Sequence, residues 1–135
     1  MPQNQSESRH SADREILVFP AGQDAIKSVV VAASAIPTLA SAVFGREDVK
    51  GLLAGTPLEA IPGDAQGRVR QFTNGTIIGI LGTTLIFNNT ANVDSDYDVP
   101  ADALFHGCVF KKERIVGYQA AEADLKADLP TCSWL

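Results

Sequence analysis

Metal and disulfide chemistry have little to draw on in this sequence, which holds two cysteines, Cys108 and Cys132, and two histidines, His10 and His106. The cysteines lack CxxC spacing, and a zinc site would need more ligands than these histidines add. With no secretory signal in view, two buried free thiols are expected rather than a disulfide. Basic clusters are just as scarce. Lys111-Lys112 is only a pair, followed at once by Glu113, and the formal net charge is −5. Phosphate backbones are bound by grouped Lys and Arg, so nucleic acid is not expected as a partner. The uncharged run Ser28–Phe44 carries four Ser or Thr residues and Pro37. It is also shorter than the roughly 20 residues of a membrane-spanning helix, so no membrane segment is expected. Met1–Arg14 is polar and offers no apolar stretch of the secretory type. The sequons Asn74-Gly75-Thr76 and Asn88-Asn89-Thr90 are therefore expected to be accidental.

What is present fits a small globular unit. The chain has 135 residues, of which 45% are hydrophobic and 20% charged. That suits one domain, or one domain plus an arm. A domain of this size buries about two thirds of its unfolded surface, enough for a core without staples.

Residues 1–22 read as an N-terminal arm and residues 23–135 as the folded domain. Met1–Arg14 has almost nothing to bury, so in isolation it is expected to be disordered. Ile16-Leu17-Val18-Phe19 then gives four apolar residues ended by Pro20 and Gly22. They could form a first core strand or an extended anchor for another surface. Ile26–Phe44 is expected to be extended before Pro37 and irregular after it. Gly51–Ile61 reads as a turn and a short strand, closed by Pro62-Gly63-Asp64. Arg68–Phe72 alternates as a half-buried strand does. Asn74-Gly75 predicts a type I′ hairpin joining Val69–Phe72 with Ile77–Leu81.

Further strands are expected at Thr84–Phe87 and Ala103–Phe110, with an acidic loop, Asn88–Asp102, between them. Ala121, Leu125 and Leu129 repeat at helical spacing over Ala120–Leu129, Glu122 can pair with Lys126, and Pro130 stops the helix. Thr131–Leu135 adds a last short strand anchored by Trp134. The fold class that follows is α+β, mainly β, with one C-terminal helix and an extended N-terminal arm.

The candidate chemistry is thin. His106 and Cys108 fall on one face of the expected strand, but such neighbours point in parallel and do not converge on a substrate. Asp94, Asp96 and Asp98 imitate the opening of a calcium loop. Its sixth position should be Gly and its twelfth Glu, and here these are Val99 and Phe105. Gly75, Gly79 and Gly82 precede no helix and no Lys-Ser or Lys-Thr pair, so they are not a phosphate loop. No catalytic residue, metal site or cofactor is expected, and the chain is not expected to be an enzyme.

Several segments together resemble bacteriophage head decoration (capsid cement) proteins of the lambda type. Leu53-Ala54-Gly55-Thr56-Pro57-Leu58 is similar to the start of those domains, and Gly75-Thr76-Ile77-Ile78-Gly79-Ile80-Leu81 to a later strand. An Asp-rich loop (92–102) follows, then Ala103-Leu104-Phe105-His106-Gly107-Cys108-Val109. Leu125-Lys126-Ala127-Asp128-Leu129-Pro130 and Ser133-Trp134-Leu135 match the close of the family pattern. The resemblance spans about Gly51–Leu135; Ile16–Phe44 is longer than the family's N-terminal arm.

The resemblance implies a homotrimer on the outer surface of an expanded phage head, made in the host cytoplasm and working on the virion. Its partner is then the major capsid protein, and the capsid-binding arm is Ile16, Leu17, Val18 and Phe19. Such an arm suits strand addition, in which backbone hydrogen bonds give affinity and alternate side chains fill pockets. Two alternatives remain open. One is a virion-surface fibre or host-adhesion module on the same fold. The other is a small hydrolase or ligand-binding domain using His106, Cys108 or the Asp loop.

Overall fold

The structure, a computed structural model, describes residues 15–32, 50–87 and 98–135. Five strands close a small barrel in the order β1-β4-β3-β5-β7. These are β1 (Ile26–Val31), β3 (Pro57–Ala60), β4 (Val69–Gln71), β5 (Ile77–Leu81) and β7 (Val99–Leu104). Closure leaves no open edge among the five strands, which removes the usual template for aggregation. Two smaller pairs flank the barrel: β2 (Lys50–Leu52) with β6 (Leu85–Phe87), antiparallel, and β8 (Val109–Phe110) with β9 (Ser133–Trp134), parallel. One α-helix, α1 (Tyr118–Asp128), lies among the described residues near the C-terminus. The domain is mainly β, as the turn-punctuated sequence predicts.

Period-two alternation decides what fills the barrel. Val29 and Val31 of β1, Leu58 of β3, Val69 of β4, Leu81 of β5 and Ala103 of β7 form one buried cluster drawn from every barrel strand. A second cluster joins Ile77 and Ile80 of β5 and Leu104 of β7 to Phe110 and to Ala121, Leu125 and Leu129 of the helical segment. β5 serves both because its register slips: Leu58 faces Gly79 but Glu59 faces Ile77, so Ile78 is an extra residue. A bulge of this kind resets the alternation, turning Ile77 and Ile80 to one side and Ile78 and Leu81 to the other.

The helix follows its sequence signals. Ala121 and Leu125 are buried one turn apart and Leu129 continues the stripe just past the last turn. Burial of Leu125 contributes about 2 kcal/mol. Glu122 and Lys126 pair at 2.8 Å on the exposed side. Asp128 reaches back to accept the Ile77 N–H at 2.9 Å, which ties the end of the helix to β5. No described helix is long and apolar enough to cross a membrane.

Three expectations need correction. Asn74-Gly75 does not close a two-stranded hairpin, because β4 and β5 are not partners. β3 lies between them and pairs with both. The hairpin is instead β3–β4, whose longer connection starts with the Pro62-Gly63-Asp64 turn and is closed by the Ile61 N–H donating to the Arg68 carbonyl at 3.0 Å. Ala103–Phe110 is not one strand: β7 ends at Leu104 and β8 starts at Val109, with Gly107 in the left-handed region (φ 65°) between them. Val99–Asp102, placed in the acidic loop, is strand, paired along β1 from Val31↔Val99 to Ser28↔Asp102. Of Ile26–Phe44, the part up to Val31 is β1; residues 33–44 lie outside the described residues, as do Asp94 and Asp96.

Candidate interaction surface

The four residues expected to bind a capsid divide into two pairs. Ile16 is 4% exposed and belongs to the same buried cluster as Phe110 and Leu125. Leu17 is half-buried and bridges Phe110 antiparallel. The Val18 N–H donates to the Val109 carbonyl, and the Lys111 N–H to the Ile16 carbonyl, each at 2.8 Å. The segment expected to belong to an arm ending at residue 22 thus carries its first two apolar residues into the domain. Val18 and Phe19, by contrast, are 36% and 62% exposed. Because Ile16 and Val18 make the bonds to β8, strand alternation turns the N–H and C=O of Leu17 to the side away from β8.

A second exposed apolar surface lies on the outer face of β1 and β7. Val29 and Val31 point into the barrel, so Ile26, Ser28 and Val30 point out. Val30 stands opposite Pro100 and Ser28 opposite Asp102, all exposed. Lys27 lies over the Phe105 ring, 5.5 Å from its centre.

A heavily hydrogen-bonded side chain among the described residues is one that the sequence reading missed. Glu59 of β3 is fully buried. Its carboxylate accepts from Arg70 Nε at 2.7 Å, from the Thr73 hydroxyl at 3.1 Å, and from the backbone N–H groups of Thr73, Asn74 and Gly75 at 3.0, 3.2 and 2.7 Å. Burial on its own raises this carboxyl. The N–H donors of Thr73 and Gly75, then Arg70 and the Thr73 hydroxyl, outweigh that and hold its pKa at about 2. A Cβ on Gly75 would stand 3.0 Å from the carboxylate, so the glycine serves close approach rather than a type I′ turn. The available signal was a charged residue inside an apolar strand, with Arg70 opposite it across the β3–β4 hairpin.

Asp64 fixes the other end of that hairpin. Arg68 grips it in fork geometry, Nε to Oδ2 at 3.1 Å and Nη2 to Oδ1 at 2.7 Å, and the Arg68 N–H adds a bond at 2.7 Å. These bonds, the side-chain ones first, hold the Asp64 carboxyl at about 2. Asp98, one of the acidic-loop residues, meets the same guanidinium at 3.4 Å.

The residues weighed for catalysis do not assemble. His106 is exposed, with Nδ1 3.3 Å from the Thr131 hydroxyl. Cys108 is buried on the far side of the Gly107 turn, and its thiol reaches the His106 carbonyl at 3.6 Å, not the imidazole. The two were expected on one strand face; the turn separates them. Burial first, then the neighbouring Cys132, pushes the Cys108 thiol up to about 11, which leaves little thiolate at neutral pH. Among the described residues no group of three His, Cys, Asp or Glu side chains could hold a metal ion. A half-open groove of about 380 Å³ runs between the Gln71–Asn74 segment and the start of α1, lined by Pro57, Phe72, Val116, Ala120 and Asp124 among others.

Set against known protein families, curated proteins and solved structures, the chain matches none.

Proposed function

We propose that this chain is a structural virion protein that binds the outer surface of an expanded phage capsid as a trimer and stabilises it by bridging neighbouring capsomers. The observation that carries this reading is the division at Ile16–Phe19. Ile16 and Leu17 anchor the segment to the domain, while Val18 and Phe19 stand exposed. Residues 1–14 continue from that anchor, so a partner strand from the capsid protein meets both apolar side chains and backbone donors there. A cement protein must also contact its own copies. The outer face of β1 and β7, with Ile26 39% and Val30 40% exposed, offers a second apolar surface for that purpose.

Three linked copies engage a shell together, which raises avidity by roughly two to four orders of magnitude over one weak contact. Ligation of the assembled shell alone then opposes its disassembly, by mass action. Neither step calls for a cofactor, nucleic acid or a membrane.

The test is cosedimentation of the purified chain with expanded heads stripped of their own decoration protein, beside a version lacking residues 1–14. Binding by the full chain, lost on truncation while the circular dichroism spectrum is kept, is the expected result. Equal binding by both versions, or by neither, would remove the proposal. The alternative reading, a host-adhesion module on the virion, is favoured by the groove beside Phe72. It predicts binding to host cell envelopes that the Phe72→Asp substitution abolishes.

A further inference from the structure

The two cysteines, far apart in sequence, meet at the start of the β8–β9 pair. These strands run parallel, with Val109 opposite Ser133 and Phe110 opposite Trp134. One step back in the same register sets Cys108 opposite Cys132, and the Ser133 N–H donates to the Cys108 carbonyl at 2.9 Å. Paired positions on neighbouring strands lie about 4.8 Å apart, within the ~4.4–6.8 Å Cα separation that a disulfide accepts. In a parallel pair such residues also point to the same face. Cys108 and Cys132 belong to one buried cluster, at 3% and 9% exposure. Cys132 is itself a hydrogen-bonding neighbour of the Cys108 thiol. Among the described residues no group of three metal-ligating side chains includes the pair.

We propose that Cys108 and Cys132 form a redox-active thiol pair, which closes to an internal disulfide by exchange with a low-molecular-weight disulfide and staples the C-terminal strand to β8. Cys132 is the more exposed residue of the two and reacts first. Its thiolate attacks one sulfur of R–S–S–R, forming Cys132–S–S–R and releasing RS⁻. The Cys108 thiolate then attacks the Cys132 sulfur, forms the internal bond and displaces the second RS⁻. Two protein thiols are oxidised, one external disulfide is reduced to two thiols, and the two cysteine protons pass through solvent to the released thiolates. The raised Cys108 thiol makes the second step slow at neutral pH and faster as pH rises.

The staple acts on a short strand pair. β9 is two residues long at the end of the chain. Three backbone bonds, from Ser133, Leu135 and Lys112, hold this end in place, with Trp134 stacked on Phe110 at 4.8 Å. A chain made in a reducing cytoplasm and then carried on a released particle would meet the oxidant only after assembly. That timing rests on the cement-protein reading; the exchange itself does not.

The experiment takes the reduced, folded full chain, incubates it with oxidised glutathione at mildly alkaline pH, and quenches with iodoacetamide. Intact mass, thiol titration in denaturant and thermal melting are then read. The expected product has lost both thiols together, weighs two hydrogens less, carries no glutathione, and melts roughly 5–10 °C higher. Cys132→Ser, or Cys132→Ala if serine is not accommodated, abolishes that rise. A stable glutathione adduct on the wild-type chain overturns the proposal. So does survival of both thiols in the folded chain under conditions that oxidise the urea-unfolded one. None of these readouts depends on capsid binding, so failure there leaves this result standing, and the reverse.

Discussion

Glu59 and Gly75, sixteen positions apart, are joined by a 2.7 Å hydrogen bond from the Gly75 N–H to the Glu59 carboxylate. Around this bond the Thr73–Gly75 loop wraps over β3, so that the chain passes from β4 to β5 on either side of the strand that carries the carboxylate. A buried charge is tolerated because five donors surround it; with one removed, the rest of the group remains to be desolvated.

Replacing Glu59 with Gln keeps the shape but removes the charge and puts an NH₂ among donors. The Glu59→Gln protein is expected to lose about 2–4 kcal/mol of stability in urea unfolding. Arg70 is about a third exposed, so Arg70→Ala should cost less, about 1–2 kcal/mol. A Glu59→Gln loss under about 0.5 kcal/mol would mean that the loop is held by something else.

Acid should unfold the protein through the same groups. The Glu59 and Asp64 carboxyls sit at about 2 in the folded chain, against ordinary values of 4.5 and 3.8. Between those limits the unfolded chain binds more protons, so stability is fully present above about pH 5 and declines as pH falls toward 2. Denaturant titrations at a series of pH values should show this decline, and a shallower one in Glu59→Gln. An identical slope in the two proteins would contradict the assignment.

Gly55 is held by space as well as by its backbone. Its φ is +98°, and an added Cβ would stand 2.3 Å from the Arg114 carbonyl oxygen. The Val116 N–H donates to the Gly55 carbonyl at 3.0 Å, so this contact joins the turn before β3 to the approach to α1. Gly55→Ala is expected to destabilise by about 2–5 kcal/mol, read as a fall in the urea midpoint. A neutral result would show that the 112–116 segment yields freely.

Ile16 and Phe19 should behave oppositely although they are three residues apart. Ile16→Ala removes buried methyl groups and is expected to cost about 2–4 kcal/mol. Phe19→Ala removes an exposed ring and should stay within about 0.5 kcal/mol of wild type, while weakening cosedimentation with heads if the proposed function holds. Stability measurements on both variants, followed by the binding assay on Phe19→Ala, check the division between anchor and contact. Equal destabilisation by the two substitutions would erase it.

Where local rules suffice, the sequence reads correctly. The Ala121, Leu125 and Leu129 spacing marks the helix stripe, and Pro130 its end. Pro62-Gly63-Asp64 marks a real turn, and the alternation around Val69 a real strand. The Asn74-Gly75 signal misled because a type I′ turn wins only when the flanking strands pair with each other. Here both strands find a better partner in β3, and the loop's N–H groups find Glu59. Likewise Ala103–Phe110 looks continuous by pattern, yet it bends at Gly107: Ala103 packs in the barrel cluster, while Cys108 and Phe110 beyond the bend belong to the second cluster.

Residue order alone thus settled the mainly β class, the C-terminal helix and several of the strands and turns, because those depend on spacing within a few residues; it misplaced the bounds of others, reading Val99–Asp102 as loop and Ala103–Phe110 as one strand. It was silent on strand order, on barrel closure, on the burial of Glu59 and on the meeting of Cys108 with Cys132. Each of these is a choice among distant partners, decided by the summed burial and hydrogen bonding of the whole chain, a quantity that no local window contains.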